Sequence, residues 1–366
     1  MNETSFSTLT LEGKYFEGNQ LIAYANDRLE NSLTADWQKA IFDFILQWLN
    51  KDDYLNIKTS GSTGVPKTIR IKKQKMVNSA IKTGEYLDLR KGDKSLLALP
   101  AGYIAGKMMV VRAMVLGLDL HFVKPLADPL NAIDEDFDFA AMVPLQIYEI
   151  LSQVGGIEKL NRIKKLIIGG APLAPSLQTE IRKLSNESYL SYGMTETVSH
   201  IAMQKLRGQD ADGYMHPLPG VKVWANEEGR LCIEAPKLAD GIIKTGDLAE
   251  FIDKNRFKIL GRCDNLIITG GINVIPELVE KKLETYIKDR FIISSVPDEK
   301  LGAKLLLVIE GQPWLVQEQQ AIENVLKQKF GKSERLRQLF FLPDFPETPG
   351  GKIDRPGIQK MIGEGE

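Results

Sequence analysis

The stretch that decides the fold reads TSGSTGVPK and spans residues 59–67. A strand candidate at residues 54–58 precedes it, and an amphipathic helix is predicted over residues 37–49. The apolar side chains of that helix recur at helical spacing at Trp37, Ile41, Phe44, Ile45 and Trp48. A loop of Ser, Thr and Gly offers closely spaced backbone N–H groups and hydroxyls, which suit phosphate oxygens. We therefore interpret residues 59–67 as a phosphate-binding loop, with an ordinary surface turn as the alternative.

The same loop differs from the Walker A loop of P-loop nucleotidases at one position. The Walker pattern places Gly immediately before the Lys, whereas Pro66 precedes Lys67 here. Proline fixes φ and removes an N–H donor at the point where the Walker loop uses one. The loop is therefore not expected to belong to a P-loop nucleotidase.

Short apolar runs alternate with helical patterns from this loop to about residue 195. The strand candidates are residues 95–99, 118–123, 139–143, 165–168 and 189–192. Helical stretches begin near Lys75, Ala105, Pro144 and Pro175. Alternation of this kind predicts an α/β fold, with a mostly parallel sheet covered by helices.

The pattern changes after about residue 213. Short strands at residues 221–224, 230–234, 248–252 and 257–260 are separated by turns, which is typical of an antiparallel β-meander. Strands and helices mix again from Asp264 onward. These are a helix at residues 276–287 and strands at residues 294–297, 304–309 and 338–342. We predict a large domain over residues 1–262 and a small mobile α+β domain over residues 264–366.

Composition restricts the function classes. The 366 residues are 43% hydrophobic and carry a formal net charge of −1, so nucleic acid is disfavoured as the main partner. Two cysteines and three scattered histidines argue against a disulfide framework and a Cys/His zinc site. The N-terminus lacks a signal peptide pattern, and the run at residues 104–120 is interrupted by charges. The expectation is a soluble cytoplasmic protein with no membrane contact.

A second motif is Tyr189-Leu190-Ser191-Tyr192-Gly193-Met194-Thr195-Glu196-Thr197. A strand ends here, and ligands bind at the carboxyl ends of strands in α/β sheets. Tyr192 suits stacking on a flat ring, Thr195 suits a phosphate, and Glu196 suits Mg²⁺. The alternative is that Thr195 and Glu196 only cap a following helix.

Two further motifs lie toward the C-terminus. The segment Lys244-Thr245-Gly246-Asp247 places a carboxylate where it suits ribose hydroxyls, and Gly261-Arg262-Cys263-Asp264-Asn265 follows it. The segment Thr348-Pro349-Gly350-Gly351-Lys352-Ile353-Asp354-Arg355 is a glycine-rich loop with one lysine near its centre. Taken alone, the first two are compatible with ordinary turns and the last with a solvated loop.

The order and combination of these motifs resemble the adenylate-forming superfamily, which contains acyl-CoA synthetases, luciferases and the adenylation domains of peptide synthetases. The resemblance extends from about residue 55 to the C-terminus. The strings at residues 60–67 and 192–196 are highly specific for it.

The resemblance implies roles for individual residues. The β- and γ-phosphates of ATP are expected at Thr59, Ser60, Gly61, Ser62, Thr63, Gly64 and Lys67. Adenine and the acyl pocket are expected beside Gly169, Gly170, Ala171, Pro172, Tyr192 and Gly193. Thr195 is expected at the α-phosphate, Glu196 at Mg²⁺, and Asp247 at the ribose hydroxyls with Arg262 nearby. Lys352 is expected to bridge the substrate carboxylate and the α-phosphate.

The resemblance also implies two half-reactions in one pocket. Asp264 is the expected hinge about which the small domain turns. Gly270 and Gly271 are then expected to face the pocket when coenzyme A enters as co-substrate. Only 58 residues precede Thr59, so much of the usual N-terminal subdomain is expected to be missing. Tyr103 stands where the family often has His, which leaves the role of Tyr103 open.

Within the superfamily, residues 143–146 and 269–277 resemble the o-succinylbenzoate–CoA ligases of menaquinone synthesis. Their substrate has two carboxylates, and the second needs a partner in the pocket. The candidates are Lys107, His200 and Arg112. Arg112 is the weakest of them because it is equally compatible with a helix surface. His200 follows Glu196 by four residues, so a helix there would place both on one face.

Three hypotheses remain at this stage. The preferred one is an ATP- and Mg²⁺-dependent carboxylate–CoA ligase. The second is a stand-alone adenylation enzyme, or a ligase for another aryl or acyl acid. The third is a degenerate nucleotide-binding module that has lost catalysis. The oligomeric state is not predicted.

Overall fold

The computed structural model describes residues 6–58, 68–330, 336, 338–347 and 353–363. The phosphate-loop residues 59–67 and the catalytic candidate Lys352 lie outside the described residues.

The described strands and helices follow one another along the chain as follows. The strands are β1 (Thr8–Leu11), β2 (Lys14–Glu17), β3 (Tyr54–Lys58), β4 (Thr68–Lys72), β5 (Lys94–Leu97), β6 (Asp119–Phe122), β7 (Phe137–Met142), β8 (Ile163–Ile168), β9 (Glu187–Gly193), β10 (His200–Lys205), β11 (His216–Pro217), β12 (Lys222–Ala225), β13 (Arg230–Glu234), β14 (Ile242–Asp253), β15 (Arg256–Arg262), β16 (Ile267–Thr269), β17 (Ile272–Val274), β18 (Phe291–Asp298), β19 (Gly302–Glu310) and β20 (Gln338–Leu342). The helices are α1 (Asn19–Glu30), α2 (Asp36–Leu49), α3 (Lys73–Leu87), α4 (Ile104–Leu116), α5 (Pro144–Leu151), α6 (Gly156–Asn161), α7 (Pro175–Ile181), α8 (Pro276–Leu283), α9 (Val316–Lys329) and α10 (Arg355–Gly363).

The largest sheet has the strand order β11-β10-β9-β8-β7-β5-β6-β1-β2. Its six neighbouring strands from β9 to β1 are parallel, and the outer strands β10, β11 and β2 are antiparallel to their neighbours. β7 and β8 are largely apolar because helices cover both faces of a parallel sheet. The prediction of a mostly parallel sheet is confirmed.

Helices α1 to α4 share one large hydrophobic core with the strands beside them. The predicted amphipathic helix is α2, which buries Ile41, Phe44, Ile45 and Trp48 on one face as its spacing requires. α4 is different because it is buried nearly all round, and two of its charged side chains, Lys107 and Arg112, lie inside the protein.

The predicted meander is the four-stranded antiparallel sheet β12-β13-β14-β15. β14 is longer than predicted, with 12 residues, and it carries the Lys244–Asp247 motif within the strand. The motif is therefore held by backbone pairing with β13 and β15, where an isolated turn had been one interpretation.

The C-terminal part combines the hairpin β16-β17 with the three-stranded sheet β18-β19-β20 and helices α8 to α10. Its two hydrophobic clusters are built from residues 267 and beyond. α8 ends at Leu283, earlier than the predicted residue 287, and Glu284 is its C-cap. The prediction of an α+β region after the meander is confirmed.

Several elements were not predicted from the sequence. These are the β1-β2 hairpin, α1, α6, β4, β10, β11, the β16-β17 hairpin, α9 and α10. They are short or have a weak apolar period, so their formation depends on neighbours that are distant in sequence. Within the described residues, no helix is both long and apolar enough to cross a membrane.

Candidate active site

The segment with the phosphate-loop pattern connects two paired strands. β3 and β4 are antiparallel, and the last pair in their register joins Lys58 to Thr68. Lys58 and Thr68, the described residues on either side of this segment, are therefore adjacent at the ends of β3 and β4. The predicted ligands in this loop are outside the described residues, so their roles remain predictions.

The parallel strands place several motifs at one edge of the sheet. β8 ends at Ile168 and leads into Gly169 and Gly170, while the neighbouring β9 ends at Tyr192 and Gly193. Gly169 lies close to β9, because a Cβ on Gly169 would be 2.3 Å from Ser191 Oγ. Carboxyl ends of adjacent parallel strands form the usual ligand crevice of an α/β sheet.

Thr195 and Glu196 lie on a single 3-10 turn after β9 and not on a longer helix. Thr197 Oγ1 accepts a hydrogen bond from Met194 N at 3.1 Å and donates one to Ser199 O at 2.8 Å, which ends the turn. The expectation that a helix places Glu196 and His200 on one face is wrong. Glu196 is exposed, whereas His200 is buried at the start of β10.

A chain of hydrogen bonds joins three predicted nucleotide-binding residues. The Tyr192 hydroxyl donates to Asp247 Oδ2 at 2.5 Å, and Arg262 Nη1 donates to Asp247 Oδ1 at 3.2 Å. Arg262 Nη2 also donates to Asp264 Oδ2 at 2.6 Å. Thr245 Oγ1 accepts from Asp247 N at 3.1 Å and holds the backbone in place. The structure thus brings together Tyr192 at the end of β9, the predicted ribose ligand Asp247 and the predicted hinge residue Asp264.

The protonation of this chain follows from burial and pairing. Burial and the neighbouring Asp247 carboxylate raise the pKa of Tyr192, so its hydroxyl keeps its proton and donates it. Burial acts to lower the pKa of Arg262, but its bonds to Asp264 and Asp247 outweigh burial and raise it. The bond from Arg262 lowers the pKa of Asp264. Arg262 and Asp264 therefore carry opposite charges at neutral pH.

The hinge candidate lies where β15 meets α8. A Cβ on Gly261 would lie 2.4 Å from Glu277 Oε2 and 2.6 Å from Ile275 Cγ2, so only glycine fits without movement. Asp264 itself is exposed, on a 3-10 turn. Gly270 and Gly271 form the turn of the β16-β17 hairpin with φ of 56° and 78°, which few other residues adopt.

A buried cluster lies directly behind the end of β9. Gly193 packs against the next strand so closely that a Cβ on it would be 2.5 Å from the His200 Cα. Arg112, only 2% exposed, donates from Nη2 to Ser199 Oγ at 2.8 Å and from Nε to Thr83 Oγ1 at 3.3 Å. Burial lowers the pKa of Arg112 to about 10, which still leaves it charged at neutral pH. From the sequence, Arg112 ranks as the weakest pocket candidate because it is compatible with a helix surface. That reason is wrong, since the side chain is buried.

The hydrogen bonds of this cluster define its charge. Thr83 donates its proton to Ser79 O at 2.9 Å, so it accepts from both Arg112 Nε and His200 Nε2, the latter at 3.0 Å. His200 is accordingly inferred to carry its proton on Nε2. Burial, and then the Arg112 charge, lower the pKa of His200 well below its ordinary value, so the ring is neutral. Within the described parts of the chain, the hydrogen-bond acceptors of Arg112 include no carboxylate.

The other two pocket candidates occupy different surroundings. The Lys107 ammonium lies 4.5 Å from the centre of the Phe44 ring of α2, and burial lowers its pKa. Lys107 is therefore not a solvated charge on the helix surface, since the residue is 8% exposed. Tyr103 precedes α4 as its N-cap and is 42% exposed.

Sequence reasoning missed Thr83 and Ser199 as partners of Arg112. Both are small hydroxyl residues in unremarkable contexts, and nothing in the local sequence points to them. The available signal was Arg112 itself, since α4 is otherwise apolar around most of its circumference. A charged residue in such a helix is buried and requires polar partners.

The AMP-binding enzyme family model matches residues 15–243 of the chain. The chain belongs to the AMP-binding enzyme family. This match covers most of the predicted large domain and includes the phosphate-loop and Tyr192–Glu196 motifs. The predicted resemblance to adenylate-forming enzymes is confirmed.

Curated relatives of this chain include 2-succinylbenzoate–CoA ligases. The one from Enterococcus faecalis is 27% identical over 81% of this chain and 67% of its own length. The one from Escherichia coli is 25% identical over 83% of this chain and 68% of its own length. The chain thus spans about two thirds of the length of these relatives.

Two solved structures resemble this chain, one in sequence and fold and the other in fold. An acyl-CoA synthetase (AMP-forming)/AMP-acid ligase II-like protein from Dyadobacter fermentans is 34% identical, with a TM-score of 0.61 over 91% of this chain and 97% of that one. The o-succinylbenzoate CoA synthetase of Bacillus subtilis, solved with its acyl-adenylate intermediate, has a TM-score of 0.71 at 23% identity over 83% of this chain and 68% of that one, and so supports the fold alone. The prediction that the chain is an enzyme of the AMP-forming acyl-CoA synthetase class is confirmed.

Proposed function

We propose that the protein is an ATP-dependent carboxylate–CoA ligase that works through an acyl-adenylate, with o-succinylbenzoate as its acid. In the first step a carboxylate oxygen attacks the α-phosphorus of ATP, and the bond to the departing pyrophosphate breaks. In the second step the thiolate of coenzyme A attacks the acyl carbonyl, and AMP leaves with the electrons of the broken C–O bond. The thiol proton goes to solvent.

The nucleotide is assigned to the crevice at the ends of β8 and β9. Asp247, held by Thr245 and by the Arg262 guanidinium, offers acceptor oxygens for ribose hydroxyls. Tyr192 limits the crevice on the adenine side, and Gly170 and Ala171 line it after β8. Thr195 is assigned to the α-phosphate. The phosphate loop and Lys352 retain the roles that the family resemblance implies.

Magnesium is assigned to Glu196. Its carboxylate is exposed at the end of β9 and has no hydrogen bond or ion pair to the other described residues. One free carboxylate beside a phosphate site fits Mg²⁺, which binds through one or two carboxylates together with phosphate oxygens and water. The ion would neutralise charge that develops on the transferred group.

The observation that carries the choice of acid is the buried Arg112. A guanidinium that is removed from water without an opposing carboxylate is costly, so an anionic ligand beside it has a large electrostatic advantage. The neutral His200 and the hydroxyls of Thr83 and Ser199 orient this cation without cancelling its charge. A dicarboxylate places one carboxylate at the α-phosphorus and leaves its second for Arg112. The names of the curated relatives support the same acid.

The two half-reactions require that Lys352 reaches the crevice during adenylation and that the loop at Gly270–Gly271 reaches it during thioester formation. We propose that residues 264–366 rotate as a unit about Asp264 between the two steps. In this structure Arg262 ties Asp264 to Asp247, which joins the hinge to the nucleotide crevice. That contact must change when the small domain turns.

The test is pyrophosphate release with a panel of carboxylic acids, with and without coenzyme A, followed by detection of the thioester. The expected result is release with o-succinylbenzoate and formation of its CoA thioester. Release without a thioester would support an adenylation enzyme that loads a carrier protein. Release with a different acid only would show that this acid, and not o-succinylbenzoate, is the substrate. No release with any acid would support the degenerate nucleotide-binding module.

A further inference from the structure

Helix α8 carries Glu277 and Glu280, and Glu284 follows as its C-cap residue, so the three glutamates stand at intervals of three and four residues. This spacing places them along one face of the helix. Glu277, at the start of the helix, contacts the hinge, since its Oε1 accepts a hydrogen bond from Asn265 and its Oε2 lies against Gly261. The middle glutamate has a different partner.

Glu280 forms a largely enclosed ion pair with Arg355. Its Oε2 accepts from Arg355 Nη2 at 2.6 Å, and its Oε1 accepts from Ile293 N at 2.7 Å. Arg355 Nη1 in turn donates to Ile293 O at 3.3 Å. The side chains of Glu280 and Arg355 are 13% and 23% exposed. One carboxylate therefore joins α8, β18 and the first residue of α10.

Arg355 lies at the base of the segment that contains Lys352. Residues 347 and 353 form a β-bridge across that segment, and Asp354 N donates to Pro346 O at 2.8 Å. The two ends of residues 348–352 are thus held together by described contacts. Arg355 follows this bridge by two residues, so its ion pair with Glu280 sets the position of the base against α8.

Helix α8 is consequently a rigid connection between two functional places. Its first turn touches the hinge through Ile275 and Glu277, and its second turn holds the base of the Lys352 segment through Glu280. The ion pair is the described side-chain contact that links the base directly to α8, while Ile358 and Ile362 of α10 pack against β18 and β19.

We propose that Glu280 is a positioning residue for adenylation, which acts through Arg355 on the segment that carries Lys352. This inference rests on the proposed function, because it requires that Lys352 serves the first half-reaction. Glu280 touches neither substrate nor nucleotide. Loss of its carboxylate displaces the base of the segment, and a displacement of about 1 Å costs on the order of 10²-fold in rate. The thioester step does not use Lys352 and is expected to be spared.

The experiment measures the two half-reactions separately in the full-length enzyme. Adenylation is followed by pyrophosphate release with ATP and o-succinylbenzoate, and thioester formation is followed from supplied acyl-adenylate and coenzyme A. Glu280→Gln removes the charge and keeps one acceptor for Ile293 N. Arg355→Lys keeps the charge but loses the bond to Ile293 O. Lys327→Ala is the matched control, because it removes an exposed ion pair with Glu323 on α9.

The expected result is a loss of adenylation on the order of 10²-fold in Glu280→Gln and a smaller loss in Arg355→Lys. Thioester formation should stay within about threefold of the wild type, and Lys327→Ala should match the wild type in both assays. Equal losses in both half-reactions, or no loss in either, would overturn the inference while leaving the proposed function intact. If Glu280→Gln does not fold, the losses of adenylation and of thioester formation in Arg355→Lys are compared to test the inference. A wild-type enzyme that forms no acyl-adenylate contradicts the proposed function itself.

Discussion

The Tyr192 hydroxyl lies 2.5 Å from Asp247 Oδ2, although the two residues are 55 positions apart in the chain. This contact joins the end of β9 in the mostly parallel sheet to β14 in the antiparallel sheet. The nucleotide crevice that we propose therefore has one wall from each sheet. The hydrogen bond fixes the orientation of the Asp247 carboxylate, and under the proposed function this reduces the entropy cost of binding ribose.

Removal of this hydroxyl should weaken ATP binding. Tyr192→Phe is expected to raise the KM for ATP about tenfold, since a hydrogen bond to a charged group contributes about 1.5–3 kcal/mol. The matched control is Tyr189→Phe, which removes a 2.7 Å bond to Glu187 on the same strand. Steady-state kinetics of pyrophosphate release will measure both. Similar KM values for the two variants would contradict the assignment of Asp247 to the nucleotide.

Replacement of the buried Arg112 should have different effects on thermal stability and on substrate binding. Arg112→Met keeps most of the side-chain volume and removes an uncompensated charge, so the thermal midpoint is expected to stay equal or rise. The kcat/KM for o-succinylbenzoate should fall on the order of 10²-fold because the second carboxylate loses its partner. A matched acid without the second carboxylate should be unaffected. A parallel loss for both acids would show that Arg112 supports the fold of the pocket only.

Gly261 is expected to tolerate no side chain. In Gly261→Ala the new Cβ would lie 2.4 Å from Glu277 Oε2 and 2.6 Å from Ile275 Cγ2, so these side chains or the backbone that carries them must move. The free energy of unfolding should fall by about 1–3 kcal/mol. Gly102→Ala is the control, because a Cβ there has no neighbour within 4 Å and φ is not positive. Chemical denaturation of both variants is the measurement, and equal stability would contradict the close approach seen at Gly261.

The stability of the protein should depend on Glu284 at neutral and higher pH. Burial, and then the neighbouring Glu280, raise the pKa of Glu284 from 4.5 to about 7. The folded state therefore holds this proton more tightly than the unfolded state, and stability is lost as pH rises from about 4.5 through about 7. Glu284→Gln removes that loss.

The measurement is the difference in thermal midpoint between Glu284→Gln and the wild type at pH 5 and pH 8. We expect the variant to gain more at pH 8 than at pH 5. Glu323→Gln, in an exposed ion pair on α9, is the control and should show no such gain. A gain at pH 5 that equals or exceeds the one at pH 8 would show that Glu284 does not titrate in this range.

Lys352 should be required for only one of the two half-reactions. Lys352→Ala is expected to abolish most adenylation, since it removes the charge that opposes the developing negative charge at the α-phosphate. Thioester formation from supplied acyl-adenylate should be retained. Equal loss in both assays would contradict the alternation of the two domains.

Most of the strands and helices between residues 37 and 262 were readable in the sequence because they have a local signal. α2 shows the 3.6-residue period, β7 and β8 each end in a short apolar run, and the meander strands are separated by turn residues. The motifs at residues 59–67 and 192–196 were readable for a similar reason, since they are contiguous and unusual in composition. The short β1-β2 hairpin had no such signal.

The partners of individual side chains were decided by the tertiary structure. Periodicity reports that a residue is buried, but the neighbour that it meets comes from an element far away in the chain, and no local pattern encodes that neighbour. Arg112 illustrates this, because its helix predicts burial while its partners Thr83 and Ser199 come from α3 and the turn before β10. The sequence by itself determined the fold class and the family motifs, because these depend on local composition and spacing. The packing of the two sheets decided which charges meet in the crevice, because burial and distance set their interaction.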